Sequence, residues 1–194
     1  LSAAGLPVMR GVPLADFTTF RLGGPAPLFV KCAGPQQLAT AITLLGARQL
    51  SWFLLGGGSN LLVSDRGPGC AVLRFAADAA AITRPSPTVI RVAADSPLDA
   101  VAAYCCTAGL GDFVQASGIP GTIEGAVYGN AGSFGKSMKD AVKSVEVFDT
   151  KTNKIKIFKN KDCQFAYRDS IFKRNKNLII ISVKIVDEAN ASSS

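Results

Sequence analysis

Three segments of the chain carry residue types and spacings that point to chemistry. The first is Gly56-Gly57-Gly58-Ser59-Asn60-Leu61, set between the apolar runs 52–55 and 61–63. Three successive glycines cost backbone entropy and offer no side chains. They make sense where backbone N–H groups must approach an anion closely, as in a phosphate nest. Ser59 and Asn60 add polar side chains. No Gly-Lys-Ser/Thr follows, and the G-x-G-x-x-G spacing is absent, so this is neither a Walker A loop nor a dinucleotide fingerprint. A plain tight turn would use the same residues. The second segment is 117–135, SGIPGTIEGAVYGNAGSFG, with glycines at 118, 121, 125, 129, 132 and 135, always three or four apart. On a helix they would line one face, at a cost of roughly 5 kcal/mol relative to alanine, and Pro120 interrupts the start. A bare face at that cost fits a flat ring packed on it, an isoalloxazine or a substrate; loop packing is the alternative. The third segment is Tyr167-Arg168-Asp169-Ser170. Its arginine is a fixed cation, and its Arg–Asp neighbours otherwise read as a surface ion pair.

What the chain lacks narrows the choice. Among its 194 residues there is no histidine, which excludes Ser-His-Asp and Cys-His catalysis and argues against zinc. Acid–base chemistry is left to Asp, Glu, Ser, Tyr, Lys or Cys. The five cysteines, Cys32, Cys70, Cys105, Cys106 and Cys163, form no C-x-x-C pair and read as free thiols of a reducing compartment. No apolar stretch is long enough to span a membrane, and residues 1–8 do not read as a signal peptide, so a cytoplasmic, non-membrane protein is expected. The net charge of +7 is uneven. Residues 1–135 carry one Lys and seven Arg against seven acids, and residues 136–194 carry eleven Lys and two Arg against seven. That surplus reads as a solvated lysine-rich surface or as attraction for an anionic ligand. A nucleic-acid role lacks the aromatic interleaving it would need. The first part is also rich in Ala and Gly, the second in Lys, Asn and Ile, as in a recombined chain or two different domains.

The elements that must position these segments follow from periodicity. Residues 36–48 predict a helix burying Leu38, Ala41, Ile42 and Leu45. Strands are expected at 52–55, resuming at 61–63, and at 70–75, 81–84 and 88–93. Ser96 and Pro97 predict a helix start, as N-cap and first helical residue, with Leu98, Val101, Ala102 and Cys105 on the buried face. Residues 145–149 and 154–158 flank 150–153 as a hairpin, and 178–186 is the last strand. The order gives a small α/β unit over 1–66, a larger α+β unit over 67–188 and a disordered tail over 189–194. The alternation is too irregular for a doubly wound sheet.

Taken in order, Thr18-Thr19-Phe20-Arg21-Leu22-Gly23-Gly24, LGGGSNLLVSD (55–65), SGIPGTIEGAVYGNAGSFG (117–135) and YRDSIFK (167–173) resemble the MurB-type UDP-N-acetylenolpyruvoylglucosamine reductase family over about residues 10–186. The resemblance implies an α+β FAD-binding fold of the p-cresol methylhydroxylase (vanillyl-alcohol oxidase) type, with two subdomains and non-covalent FAD between them. It implies NADPH as reductant and UDP-N-acetylglucosamine enolpyruvate as the substrate reduced for peptidoglycan synthesis. Carried over by position, Gly56, Gly57, Gly58, Ser59, Asn60 and Leu61 match the pyrophosphate loop. Ser117, Gly118, Ile119, Pro120, Gly121, Thr122, Gly125, Ala126, Gly129, Asn130, Ala131 and Gly132 match the segment beside the flavin. Arg168 matches the arginine that stabilises an enolate-like intermediate, where a fixed cation lowers the barrier.

Two departures stand out. Glu124 occupies a position that is glycine in many relatives. Family enzymes also continue for another hundred or so residues, which supply the proton-donating serine and most substrate contacts. The expectation is therefore a reductase shortened to its FAD-binding half and weakly active or inactive alone, with the missing domain supplied elsewhere. The alternatives are a non-catalytic FAD-binding module or scaffold, or a small flavin oxidase or diaphorase.

Overall fold

The computed structural model describes residues 1–75 and 81–186. The chain divides into two compact units, Leu1–Ala77 and Asp78–Ser194.

In the first unit the strands are β1 (Val8–Met9), β2 (Val12–Pro13), β3 (Pro25–Ala26), β4 (Leu28–Cys32), β5 (Trp52–Leu55) and β6 (Ala71–Phe75), with one α-helix, α1 (Pro35–Gly46). Four of them form a sheet in the order β1-β4-β6-β5, and β2 pairs with β3. β6 takes β4 and β5 as parallel neighbours, while β1 joins β4 antiparallel. Strands running in the same direction need a crossover, and α1 supplies it between β4 and β5. Pro35 opens that helix, where its missing N–H costs nothing, and Leu38, Ala41 and Leu45 are buried. Leu14, Ala26, Phe29, Leu55, Val63 and Val72 make a core, in which the Phe17 and Phe29 rings lie 4.7 Å apart.

Two expectations change here. Residues 61–63 do not resume a strand. Val63 is buried as a loop side chain, and burial alone produced its strand-like apolar signature. β6, expected to open the second unit, is the inner strand between β4 and β5, so the first unit runs to Ala77 and not to residue 66.

The second unit contains β7 (Ile82–Ser86), β8 (Val89–Ala93), β9 (Gly132–Ser133), β10 (Lys136–Ser137), β11 (Val142–Asp149), β12 (Lys154–Lys159) and β13 (Leu178–Val186). Its α-helices are α2 (Leu98–Thr107), α3 (Ile123–Tyr128), α4 (Met138–Ala141) and α5 (Ile171–Arg174). The main sheet runs β12-β11-β13-β8-β7 and is antiparallel throughout. Ile90, Val92, Val145, Val147, Ile180 and Val183 from the sheet share one core with Leu98, Val101, Ile123, Val127 and Phe172 from the helices. The β11–β12 hairpin forms where expected. Asn153 is left-handed there (φ 54°), and the Asp149 carboxylate accepts from the Lys151 N–H at 2.9 Å and from Lys156 Nζ at 2.6 Å. Lys154, Lys156 and Lys159 sit on β12, an edge strand, where charge discourages pairing with another chain.

α2 begins at Leu98 with Pro97 in the N-cap position, and Ser96 does not cap it. The reason is tertiary. Ser96 O accepts from the Ile123 N–H and Ala94 O from the Glu124 N–H, at 3.0 and 2.8 Å, so residues 94–96 are held against the start of α3. The six glycines of 118–135 do not line one helix either. α3 contains only Gly125, Gly129 is its C-cap, and Gly132 opens the β9–β10 hairpin. The expected tail, 189–194, lies outside the described residues.

Candidate functional site

The glycine loop of the first unit leaves β5 and meets the chain at Thr18. Thr18 Oγ1 donates to Leu22 O at 2.9 Å and accepts from the Leu22 N–H at 3.2 Å, closing the 18–22 loop on itself. The Thr19 N–H then donates to Gly58 O at 3.2 Å. Gly58 has φ 64°, and a Cβ there would stand 1.9 Å from the Phe17 carbonyl oxygen. Its bareness is thus required by the packing of two loops. That role was not foreseen, although Thr18-Thr19 was visible in the motif. Among the described residues, the backbone N–H groups of Gly57 to Leu61 donate to no protein acceptor, in a loop that is largely half-buried. Half-buried donors left open by the protein are what a phosphate group needs.

In the second unit the structure brings the glycine segment and the arginine turn together. Residues 128, 130 and 132 each hold one residue of the turn. Ser170 Oγ donates to Tyr128 O at 2.8 Å, Asn130 Nδ2 to Ala166 O at 2.8 Å, and Arg168 Nη2 reaches Gly132 O at 3.5 Å. The turn is closed by reciprocal bonds, from the Ala166 N–H to Asp169 O at 3.0 Å and from the Asp169 N–H to Ala166 O at 3.2 Å. Arg168 is left-handed, with φ 52°, a conformation that costs an L-residue roughly 1–2 kcal/mol. Lys173 Nζ donates to its carbonyl at 2.9 Å. The expected Arg–Asp neighbour pair does not form. Asp169 is bonded to Arg174 at 2.6 Å, and among the described residues the exposed Arg168 has no carboxylate partner. Its guanidinium carbon lies 6.0 Å from the centroid of the Tyr167 ring.

The other expected residues of this segment divide by role. Ser117, Gly118, Pro120 and Gly125 are exposed, and Gly129 is half-buried. A Cβ on Gly118 would meet nothing within 4 Å, and one on Gly125 or Gly129 would make only ordinary contacts at 3.6 and 3.5 Å. This surface is bare without being filled by the protein. Thr122 caps α3 by accepting from the Gly125 N–H at 3.3 Å, and Ala126 is buried in the core. Gly121 is left-handed, with φ 126°. Ile119, Ala131 and Gly132 line a shallow cleft with Ser133, Lys136 and Met138. At Gly132 the bareness is structural, because a Cβ would lie 2.5 Å from Lys136 O.

Glu124 is the other unusual group. Its Oε2 and the Ser96 hydroxyl are both buried without a hydrogen-bond partner in the described structure. Burial, and secondarily the nearby charge of Asp95, pushes its carboxyl up to about 8. Burial also raises the Tyr128 phenol, with Glu124 and Asp169 adding to the shift.

The chain belongs to the FAD binding domain family, whose profile matches residues 26–157. Within it, the similarity is to UDP-N-acetylenolpyruvoylglucosamine reductases. The chain is 37% identical over 189 residues to that of Solibacter usitatus, covering 96% of this chain and 59% of the relative. It is 34% identical over 176 residues to that of Thermobifida fusca, covering 90% and 49%. The crystal structure of that reductase (MurB) from Thermus caldophilus matches with a TM-score of 0.76 at 30% identity, over 93% of this chain and 62% of the other. Cholesterol oxidase from Brevibacterium sterolicum, at 10% identity and a TM-score of 0.65, shares the fold alone. The chain is a MurB-type FAD-binding portion with the p-cresol methylhydroxylase-type fold, and it spans about half to three-fifths of the length of these curated relatives.

The residues present fit FAD. Taken unit by unit, the open N–H groups of Gly57 to Leu61 in the first suit a pyrophosphate, and in the second the unfilled glycine surface at Gly118, Gly125 and Gly129 suits a flat ring, with the Ser96 and Glu124 oxygens left without partners.

Proposed function

We propose that this chain is the FAD-binding part of an NADPH-dependent reductase acting on UDP-N-acetylglucosamine enolpyruvate in peptidoglycan precursor synthesis, in the cytoplasm. Gly56 to Leu61 would hold the pyrophosphate of non-covalently bound FAD, and the 117–132 segment would receive the ring. When bound and reduced by NADPH, FAD would supply the hydride. Arg168 then faces the oxyanion that develops as hydride adds to the conjugated double bond. A guanidinium already in place stabilises that charge without reorganising, and it keeps its proton at any working pH, so it acts as an electrostatic group and not as the acid. The observation that carries this reading is the unpaired Arg168 on a strained turn fastened to the bare glycine segment. The shared sequence with reductases of that name supports the substrate class.

The test has two stages. Purified protein should show the visible absorbance of bound flavin. The flavoprotein containing this chain should then oxidise NADPH anaerobically beyond one equivalent per flavin only when the enolpyruvyl substrate is added. A colourless protein that acquires no flavin on incubation with FAD refutes the cofactor assignment. Flavin reduction by NADPH that the substrate never reverses refutes the substrate.

A further inference from the structure

We propose that Asn130 is the positioning residue for Arg168 and that its side chain is committed to that task, not to the cofactor. Asn130 is 7% exposed. Its Nδ2 donates to Ala166 O at 2.8 Å, and its Oδ1 accepts from the Lys139 N–H at 3.0 Å. One amide thus joins the glycine segment, the first turn of α4 and the first residue of the arginine turn. Ala166 O already accepts the Asp169 N–H that closes the turn. A carbonyl oxygen has two lone pairs, so the Asn130 bond adds to that closure and fixes the closed turn in place. The anchors are complementary: Ser170 on Tyr128 secures the C-terminal end and Asn130 the N-terminal end. Arg168 lies between them with only a 3.5 Å contact of its own to the glycine segment. Without the amide, the turn keeps Ser170 and its local bonds to Lys173 and Arg174, and its N-terminal end loses its bond to the glycine segment.

The backbone makes the same demand. Asn130 is itself left-handed, with φ 44°. Asparagine is one of the few residues with a side chain that accept this region readily. Glycine would satisfy the backbone alone and alanine neither requirement, while asparagine meets both.

The consequence for turnover rests on the reading of Arg168 given above, so the test separates the two. In the flavoprotein containing this chain, hydrogen exchange is followed at the Ala166 and Asp169 amides for Asn130→Gly and Asn130→Asp. Asn130→Gly keeps the backbone conformation and removes the amide. Exchange at both positions should quicken roughly tenfold, as expected for one lost hydrogen bond to a turn, with β11 and β13 unchanged and flavin retained. Asn130→Asp keeps the acceptor for Lys139 but turns a second oxygen toward Ala166 O. Protonating it restores a donor, so the turn should be protected in acid and open as pH rises. The charged groups of the neighbouring elements are Lys139 and Asp140 on α4, and Arg168, Asp169 and Lys173 at the turn. They are common to both variants, so only the aspartate profile should carry this titration. Unchanged exchange in Asn130→Gly overturns the proposal, as does loss of flavin with the turn still protected, which would make Asn130 a cofactor ligand. If the turn opens, kcat should fall while KM and flavin content hold. An opened turn with unaltered turnover leaves the positioning role standing and refutes the role of Arg168 in the reduction.

Discussion

Gly129→Leu separates a glycine kept for a ligand from a glycine kept for the fold. Gly129 has φ −94° and ψ 3°, within reach of any L-residue, and a Cβ would make only an ordinary 3.5 Å contact with Gly125 O. The protein itself therefore leaves room for a Cβ, and with a leucine that extends from it into the open face stability should change by no more than about 1 kcal/mol, a shift of at most roughly 4–8 °C in Tm for a unit of this size. The flavin should respond very differently. An aromatic ring system of this kind buries at least about 150–250 Å². At about 25 cal/mol per Å² that is roughly 4–6 kcal/mol, so a leucine that keeps the ring off the glycine surface should weaken FAD about a thousandfold or more. The assay is flavin content by visible absorbance alongside a thermal melt of the apoprotein. Gly132→Leu is the contrast, since its Cβ would lie 2.5 Å from Lys136 O and folding should suffer there. A Gly129→Leu protein that purifies with full flavin refutes the contact. One that is unfolded refutes the claim that the space is open.

Three further outcomes are expected. Arg168→Ala should lower turnover of the flavoprotein by about 10² to 10³, as for other lost oxyanion donors, with flavin content unchanged; equal activity would remove Arg168 from the chemistry. Acid precipitation should release the flavin into the supernatant, because no cysteine lies in either glycine segment and no histidine exists to carry it; a yellow pellet would mean a covalent link. Glu124, held up to about 8 in the fold by burial first and Asp95 second, ionises near its ordinary 4.5 once unfolded. Between those values the folded state binds more protons, so stability should fall as pH rises, by at most about 1.4 kcal/mol per pH unit; Glu124→Gln should flatten the melting profile, and an unchanged slope would exclude Glu124 as its source.

What the sequence made legible was local. The spacing of Leu38, Ala41 and Leu45 marked α1, that of Leu98, Val101, Ala102 and Cys105 marked the buried face of α2, and residues 150–153 marked the β11–β12 turn. What it hid was long-range. The membership of β6 in the first sheet depends on partners about 20 and 40 residues upstream, and no local pattern records which strand is central. Ser96 has the composition of an N-cap, but backbone pairing with Ile123 and Glu124 overrides that preference. The glycine period looked helical because a spacing of three or four fits a helix. The same residues instead serve a loop, a short helix and its end, and a hairpin, and the packing itself forbids a side chain at Gly132 but not at Gly125 or Gly129.

For the role proposed for Arg168, the arginine turn depends on the glycine segment that holds it. A left-handed arginine held only by its own turn would relax to a commoner conformation, and its cation would sample many positions. Electrostatic stabilisation of a developing charge depends on the cation being in place beforehand, since movement at the moment of reaction returns the reorganisation cost that the site exists to avoid. Ser170 and Asn130, bonded to partners 42 and 36 residues away in sequence, offset that strain with hydrogen bonds from largely buried side chains. Asp169, meanwhile, is taken up by Arg174 and cannot neutralise its neighbour. In the role proposed for it, Arg168 presents the charge, while Asn130 and Ser170 hold the two ends of its turn and Asp169 is bonded to Arg174.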